Sequence, residues 1–239
     1  MAPADGGTRT LDRPLRVWWL GRIAYQAARR LQLDLVDRIA VAEAPDTLLL
    51  CEHDPVITCG RGTDVSNLGA AGSELPVVEV ERGGDVTWHG PGQVVGYPIL
   101  ALQEGERDLH LHLRRVEELL IRTLTGLGCP AGRRPPHTGV WVPAEGPVRK
   151  IASIGVAVRR WTTYHGFALN VSNDLSGFTR INPCGLDAEV MTTLRRETGQ
   201  KTDRARVIEL LSGHLAEVFE RRVQNERTPL HILEEAAGT

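Results

Sequence analysis

The sequence predicts an α+β fold in which a mixed, mainly antiparallel sheet is flanked by helices. Three segments carry apolar residues at helical spacing, and several short runs rich in Val, Ile and Thr lie between them. Most of these runs are separated by turns and not by helices, which disfavours a doubly wound parallel sheet.

Three segments are predicted to form amphipathic helices because their apolar residues recur every three or four positions. They are 22–43, 108–127 and 202–222. Asp108 can act as the N-cap of the second helix, and Gly128 can end it with a positive φ. Thr202 or Asp203 can cap the third helix. A further short helix is predicted near 187–197.

Six runs have the composition and length of strands. They are 47–51, 76–81, 94–100, 139–142, 151–159 and 162–171. The runs on either side of 143–147 are expected to form one hairpin, and those on either side of Arg160 and Trp161 a second. The Gly- and Pro-containing stretch 126–136 resembles a linker, but the strands on its two sides need each other to complete a sheet.

The 239 residues, 41% of them hydrophobic, suffice for one domain of ordinary size. We expect this single domain to span 15–222, between a disordered N-terminal tail at 1–14 and a C-terminal tail at 223–239.

The charge balance and the cysteines limit the cellular environment and the classes of partner that we expect. Lys and Arg total 28 against 30 Asp and Glu, so no global basic field suggests a nucleic-acid partner. No apolar run approaches the length of about 20 residues that spans a bilayer, and the first residues lack the pattern of a signal peptide. Four scattered cysteines fit reduced thiols. The expectation is a cytoplasmic protein without a membrane partner.

The segment 82–93, RGGDVTWHGPGQ, holds four glycines directly ahead of a predicted strand. Glycine lets a backbone pass close to a ligand, so such a loop can line a channel for a chain-like substrate. The alternative is a tight turn in which His89 is a hydrogen-bonded structural residue. The spacing fits neither a Walker phosphate loop nor a dinucleotide fingerprint.

Two predicted strands carry further candidates. Lys150 opens the strand KIASIG, where the alternative is a lysine at a strand edge facing water. The strand YHGFALN has small residues at Gly166 and Ala168 that leave room on one face, although it also fits an ordinary core strand.

The fourth segment, INPCGL, places Cys184 between a proline and a glycine, just ahead of the predicted short helix. A helix N-terminus there would favour the thiolate. The alternative is a small buried residue in a turn. Cys51, His53 and Cys59 match no zinc spacing, so no metal site is predicted.

These segments together resemble the lipoyl(octanoyl) transferase family. RGGDVTWHGPGQVVGYP is similar to the longest family signature, and KIASIG, HGFALN and PCG follow in the family's order. Upstream, LLLCEHDPVITCGRGT resembles another family run, so that the likeness covers about residues 15–220. Trp88 stands where the family often has His or Tyr, and Phe167 where it often has Leu.

The resemblance implies a fold similar to the catalytic domain of biotin and lipoate protein ligases, and an acyltransferase with a Cys/Lys dyad. Cys184 would carry octanoyl as a thioester, with Lys150 as its partner. It also implies substrate contacts at Arg82, Gly83, Gly84, Asp85, Val86, Thr87, Trp88, His89, Ser153, Ile154, Gly155, Gly166, Phe167 and Ala168.

The implied donor is acyl carrier protein, and the implied acceptors are lipoyl domains of 2-oxoacid dehydrogenase complexes and the glycine-cleavage H protein. No cofactor is expected. The alternative function is an ATP-dependent lipoate- or biotin-type protein ligase, which would need a nucleotide site and no cysteine nucleophile.

Overall fold

The computed structural model describes residues 13–143, 148–182, 190–224, 228, 229 and 232. Their strands are β1 (Pro14–Arg22), β2 (Asp46–Glu52), β3 (Val56–Cys59), β4 (Val77–Glu79), β5 (Val86–His89), β6 (Gln93–Ile99), β7 (Gly132–Arg134), β8 (His137–Val142), β9 (Arg149–Arg159), β10 (Thr162–Asn170) and β11 (Arg222–Gln224). Their α-helices are α1 (Tyr25–Ala40), α2 (Leu109–Gly126), α3 (Leu194–Thr198) and α4 (Arg204–Val218).

Eight of these strands form the central sheet, in the order β11-β1-β2-β6-β10-β9-β8-β7. The pairs β1–β11 and β1–β2 are parallel, and the remaining pairs from β2 to β7 are antiparallel. The second sheet has three strands in the order β4-β3-β5, with one parallel and one antiparallel pair. The predicted mixed, mainly antiparallel sheet is therefore confirmed.

Helices cover both faces of the central sheet. Leu48 and Leu50 of β2 belong to the core that the sheet forms with α2 and α4. Leu49 and Cys51 belong to the core formed with α1. Because successive side chains of a strand point to opposite faces, one buried strand supplies both cores. The second sheet has its own core around Ile57, Trp88 and Phe178.

The long helices confirm the sequence periodicity, and their ends follow from caps. The Asp108 carboxylate accepts hydrogen bonds from the backbone N–H groups of His110 and Leu111, and Gly128 has a φ of 74°. Asp203 caps α4. The hairpin of β9 and β10 turns at Arg160 and Trp161, whose φ values of 51° and 57° are those of a two-residue hairpin loop.

One local expectation differs from the structure: the glycine-rich segment is not one loop, because β5 lies inside it and pairs with β3. The short helix predicted near 187–197 falls partly on residues outside the described part of the chain, and α3 covers Leu194–Thr198, where the Thr193 side chain caps it. β1 and β11 pair at the sheet edge, and β11 continues to Gln224. None of the described helices has the length and apolarity of a membrane span.

Candidate active site

A cavity opens between the second sheet and strands β6, β9 and β10 of the central sheet. It encloses about 830 Å³ of space, its open mouth included. It is lined by Tyr25, Arg82, Gly84, Asp85, Val86, Thr87, His89, Val95, Tyr97, His137, Thr138, Lys150, Ser153, Ile154, Gly155, His165, Gly166, Phe167 and Ala168.

Most of the residues predicted to contact substrate meet in this cavity. Those that line it are Arg82, Gly84, Asp85, Val86, Thr87, His89, Ser153, Ile154, Gly155, Gly166, Phe167 and Ala168. Gly83 and Trp88 do not line it. The Gly83 N–H instead donates to the carbonyl of Val156, and the Trp88 ring packs edge-on against Phe178. Cys184 lies outside the described residues.

Lys150, in β9, lines the cavity and is only 5% exposed. Its Nζ lies 5.4 Å from the ring centroid of Trp141, the residue directly opposite in β8. Gly139 makes room for this side chain: a Cβ at that position would lie 2.8 Å from Lys150 Cε. The φ of Gly139 is 126°, which also favours glycine. Lys150 is therefore not an edge lysine facing water.

The described residues on both sides of 183–189 contact the cavity wall. Asn182 N–H donates to the carbonyl of Asn67 at 2.8 Å, and the Asn67 side chain donates to Asp85 at 2.6 Å. On the other side, Met191 forms a β-bridge with Lys150, and Thr192 N–H donates to the Lys150 carbonyl at 3.0 Å.

A chain of buried polar side chains joins the predicted segments behind the cavity wall. Arg82 donates to the Thr58 hydroxyl at 2.9 Å, and that hydroxyl lies 3.4 Å from Nε2 of His89. Nδ1 of His89 lies 2.8 Å from Oε1 of Gln93, whose Nε2 donates to Asn170 Oδ1 at 2.9 Å. Side-chain hydrogen bonds thus hold three of the segments singled out in the sequence in fixed positions relative to one another.

This arrangement makes His89 a neutral structural group. Burial, with help from the nearby His53, lowers the pKa of His89 to about 3. Because the Gln93 amide donates to Asn170, its oxygen faces His89 and accepts from Nδ1–H. His89 therefore presents Nε2 as an acceptor to Thr58, as the structural alternative for this residue required.

Arg82 also organises the turn that follows it. Its guanidinium donates to the backbone carbonyls of Asp85 at 2.7 Å and Thr58 at 2.8 Å. Gly155 allows this, because a Cβ there would lie 2.9 Å from Arg82 Cδ. The expectation that the small strand residues only leave space for substrate is thus incomplete: Gly155 makes room for an arginine.

Six cavity residues escaped the sequence prediction: Tyr25, Val95, Tyr97, His137, Thr138 and His165. Tyr97 and His165 stand inside segments already singled out, VVGYP and HGFALN, so a signal for them existed. The Tyr97 hydroxyl lies 2.7 Å from Nε2 of His53. His165 has a φ of 55°, which is uncommon for a residue with a side chain. No comparable sequence signal marks Tyr25 or His137.

Comparison with known proteins decides the family. The lipoyl protein ligase A/B catalytic domain matches residues 24–216. The octanoyltransferase of Geobacter metallireducens is 45% identical over 204 residues, or 85% of this chain and 93% of that protein. The octanoyltransferase of Syntrophotalea carbinolica is 50% identical over 188 residues, or 79% of this chain and 86% of that protein. This chain belongs to the octanoyltransferase family. Family membership makes it an acyltransferase.

The fold of this octanoyltransferase family member is shared with a more distant group. The crystal structure of lipoate-protein ligase A bound with ATP superposes with a TM-score of 0.65 and 14% identity, covering 94% of this chain and 92% of that one. At this identity the likeness concerns the fold alone, and it confirms the α+β architecture expected from the sequence.

Trp88 and Phe167, the two residues expected to differ from the family pattern, have different surroundings. Phe167 lines the cavity, and its ring occupies space that a side chain at Gly96 would take. Trp88 lies in the core of the second sheet, against Phe178 and over Gly177. Of the two, only Phe167 touches the space available to a substrate.

Proposed function

We propose that this chain transfers an octanoyl group from acyl carrier protein, through a thioester on Cys184, to a lysine of lipoyl domains. The acceptors would be the lipoyl domains of 2-oxoacid dehydrogenase complexes and the glycine-cleavage H protein, in the cytoplasm. Residues 15–222 would form the catalytic unit. The observation that carries the proposal is the buried Lys150 in the wall of a cavity that is also lined by apolar side chains.

The cavity suits a medium-length acyl chain. Val86, Val95, Ile154 and Phe167 supply apolar surface, and Phe167 lies opposite Ile154 in the β9–β10 pair. Substrate pockets are typically apolar with a few polar groups that fix orientation. Here Lys150, Ser153 and Thr138 supply polar groups. An acyl chain bound along the apolar section would place its carboxyl end toward Lys150.

The position of Cys184 in the sequence agrees with a partnership with Lys150. It follows Asn182 by two residues, a span of at most about 7 Å, and Asn182 is bonded to the wall through Asn67. The helix expected to begin just after Cys184 falls, at 187–189, on residues outside the described part of the chain. A lysine ammonium about 4 Å from a thiolate would favour it by about 4 kcal/mol at an effective dielectric of about 20.

In the first step, the Cys184 thiolate attacks the thioester carbonyl of octanoyl-acyl carrier protein. The new S–acyl bond forms as the carrier's C–S bond breaks, and the carrier's thiolate takes a proton from water. Once the thiolate charge is used up in the acyl-enzyme, the Lys150 ammonium loses its proton to solvent. In the second step neutral Lys150 takes one proton from the acceptor lysine, whose amine then attacks the octanoyl–Cys184 thioester. The amide bond forms, the C–S bond breaks, the amine's second proton leaves to solvent, and the Cys184 thiolate returns beside the Lys150 ammonium.

The test supplies an apo lipoyl domain with octanoyl-acyl carrier protein alone, or with octanoic acid plus magnesium-ATP, and follows the domain's mass. Because a thioester is already activated, we expect octanoylation only with the carrier-bound donor. Cys184→Ala should abolish it. The matched control is Cys129→Ala, since Cys129 is buried in the core beside α2 and does not line the cavity.

Modification by octanoic acid and magnesium-ATP at a comparable rate, lost on adding chelator, would assign the chain to the ATP-dependent ligases instead. Near-normal transfer by Cys184→Ala would exclude the thioester route.

A further inference from the structure

Trp141 contacts the catalytic candidate Lys150 without lining the cavity itself. It pairs with Lys150 across β8 and β9, and its ring centroid lies 5.4 Å from Lys150 Nζ. The guanidinium of Arg134, in β7, lies 5.0 Å from the same centroid. The His137 ring, in turn, lies 5.9 Å from the Trp141 ring. One aromatic side chain therefore has two cations within the range of cation–π attraction.

Packing alone does not account for a tryptophan at this position. The ring is 2% exposed, and its indole N–H has no hydrogen-bond partner among the residues that the structure describes. An unsatisfied buried donor is costly, and phenylalanine would fill much of the space without one. Among aromatic side chains, however, tryptophan has the face that binds cations most strongly.

We propose that Trp141 is the positioning residue for Lys150: its ring face holds the ammonium at the end of the cavity, while Gly139 leaves the side chain the path to reach it. The kinetic part of this inference rests on the function proposed above. The contact between ring and ammonium does not.

Several charged or titratable groups of the described elements face this pair. They are Arg134 of β7, His137 of β8, Glu117 of α2, which accepts from the Gly139 N–H at 3.2 Å, and Glu197 of α3, which is paired with Arg149. The Trp141 ring and Gly139 both lie against the end of the Lys150 side chain. Removing the ring therefore removes a stabilising neighbour of the ammonium and leaves these charges in place.

The composition of the chain permits a direct measurement. Lys150 and Lys201 are its only lysines, and Lys201 is exposed. Protein labelled with ¹³C at the lysine ε-carbon gives two signals, of which Lys201 is the internal reference. We expect the Lys150 signal to be displaced by the ring current of Trp141. In Trp141→Leu this displacement should vanish, and the Lys150 titration midpoint should move to lower pH, with Lys201 unchanged.

The kinetic measurement compares Trp141→Phe with Trp141→Leu, which have similar apolar bulk and differ in the ring face. We expect kcat for octanoyl transfer to fall about tenfold in Trp141→Leu and less in Trp141→Phe, with KM for the donor unchanged. Trp161→Leu is the control, because Trp161 is 45% exposed, contacts Arg107 and lies at the far end of β9.

Equal losses in the Phe and Leu variants, with an unmoved Lys150 titration, would overturn the proposal and leave Trp141 a packing residue. A moved titration with unchanged kcat would overturn the role in the reaction. If Trp141→Leu does not fold, Trp141→Phe still tests the proposal. The chemical shift of Lys150 in that variant should lie between the chemical shift of Lys150 in the wild type and that of Lys201. If the Lys150→Ala variant folds and transfers octanoyl at the normal rate, the proposed function is contradicted. The NMR evidence for the contact between the Trp141 ring and Lys150 would be unaffected.

Discussion

At the scale of single residues, the most informative feature is a buried lysine in a chain whose basic side chains are nearly all arginines. The sequence has 26 arginines and two lysines. Arginine carries its charge at every physiological pH and cannot give up its proton, whereas a buried lysine can. The buried lysine, Lys150, lines the cavity, where the proposed reaction needs a group that releases and takes up a proton.

The first prediction separates the two roles proposed for Lys150. Lys150→Arg keeps the positive charge, so acyl-Cys184 should still form at neutral pH within a few-fold of the wild-type rate. Transfer to the amine should slow by about a hundredfold, because a guanidinium accepts no proton. Single-turnover kinetics, with the lipoyl domain added after the acyl-enzyme, measures the two steps.

Lys201→Arg, an exposed substitution of the same chemistry, is the control and should leave both steps unchanged. Wild-type aminolysis by Lys150→Arg would show that Lys150 is not the proton acceptor.

At the scale of elements, side-chain hydrogen bonds join β5, which pairs with β3 in the second sheet, to β6 and β10 of the central sheet. Gln93 occupies the centre of this network, since it accepts from His89 of β5 and donates to Asn170 of β10. The local sequence predicts only that each segment is extended. Which strands meet depends on these contacts between residues as much as 77 positions apart.

The second prediction concerns Gln93. Gln93→Leu leaves a donor on His89 buried without its partner, while Asn170 Oδ1 still accepts from Asn173 Nδ2 at 3.2 Å. A buried unsatisfied group costs about 1–3 kcal/mol, so the free energy of unfolding should fall by about 1–3 kcal/mol. Urea unfolding measures it. Gln26→Leu, on the exposed side of α1, should change it by less than about 0.5 kcal/mol. A loss from Gln93→Leu no larger than that of this control would mean that water replaces the missing partner.

At the scale of the whole molecule, four buried histidines make stability depend on pH. Burial lowers the pKa of His53, His112 and His165 to about 4 and that of His89 to about 3. In the unfolded chain each has a pKa of about 6.5. Between these values the unfolded state binds more protons, so stability falls as the pH falls. Arg221 lowers the pKa of the Glu106 carboxyl despite its burial. Glu106 therefore changes the pH dependence of stability only at more acidic pH.

The third prediction tests one of these histidines away from the cavity. His112 of α2 is 2% exposed, and neither ring nitrogen has a hydrogen-bond partner in the described part of the chain. Because His112 takes up a proton in the unfolded chain but not in the folded one, it should lower the free energy of unfolding by on the order of 2 kcal/mol between pH 7 and pH 5. His112→Leu should therefore unfold at higher temperature at pH 5 and show a shallower pH dependence than wild type, by calorimetry at several pH values.

His214→Leu is the control, since His214 is only partly buried on α4. Parallel pH profiles for wild type and His112→Leu would show that His112 is charged in the folded state.

The sequence by itself determined the features that depend on neighbours along the chain. Helical periodicity and the carboxylate caps at Asp108 and Asp203 predicted α2 and α4, and the turn at Arg160 and Trp161 predicted the β9–β10 hairpin. The resemblance of the segments around Arg82, Lys150 and Gly166 to the family's signatures implied most of the residues that line the cavity.

Tertiary structure decided what depends on distant residues. β5 forms inside a glycine-rich segment because β3 pairs with it. Gly155, in β9, leaves room for the Arg82 side chain. The pairing of β8 and β9 brings the Trp141 ring against Lys150, and the role proposed for Trp141 depends on this contact. Backbone propensity acts within a few residues, whereas burial and ion–ring contacts act across the fold, so no local pattern marks these positions.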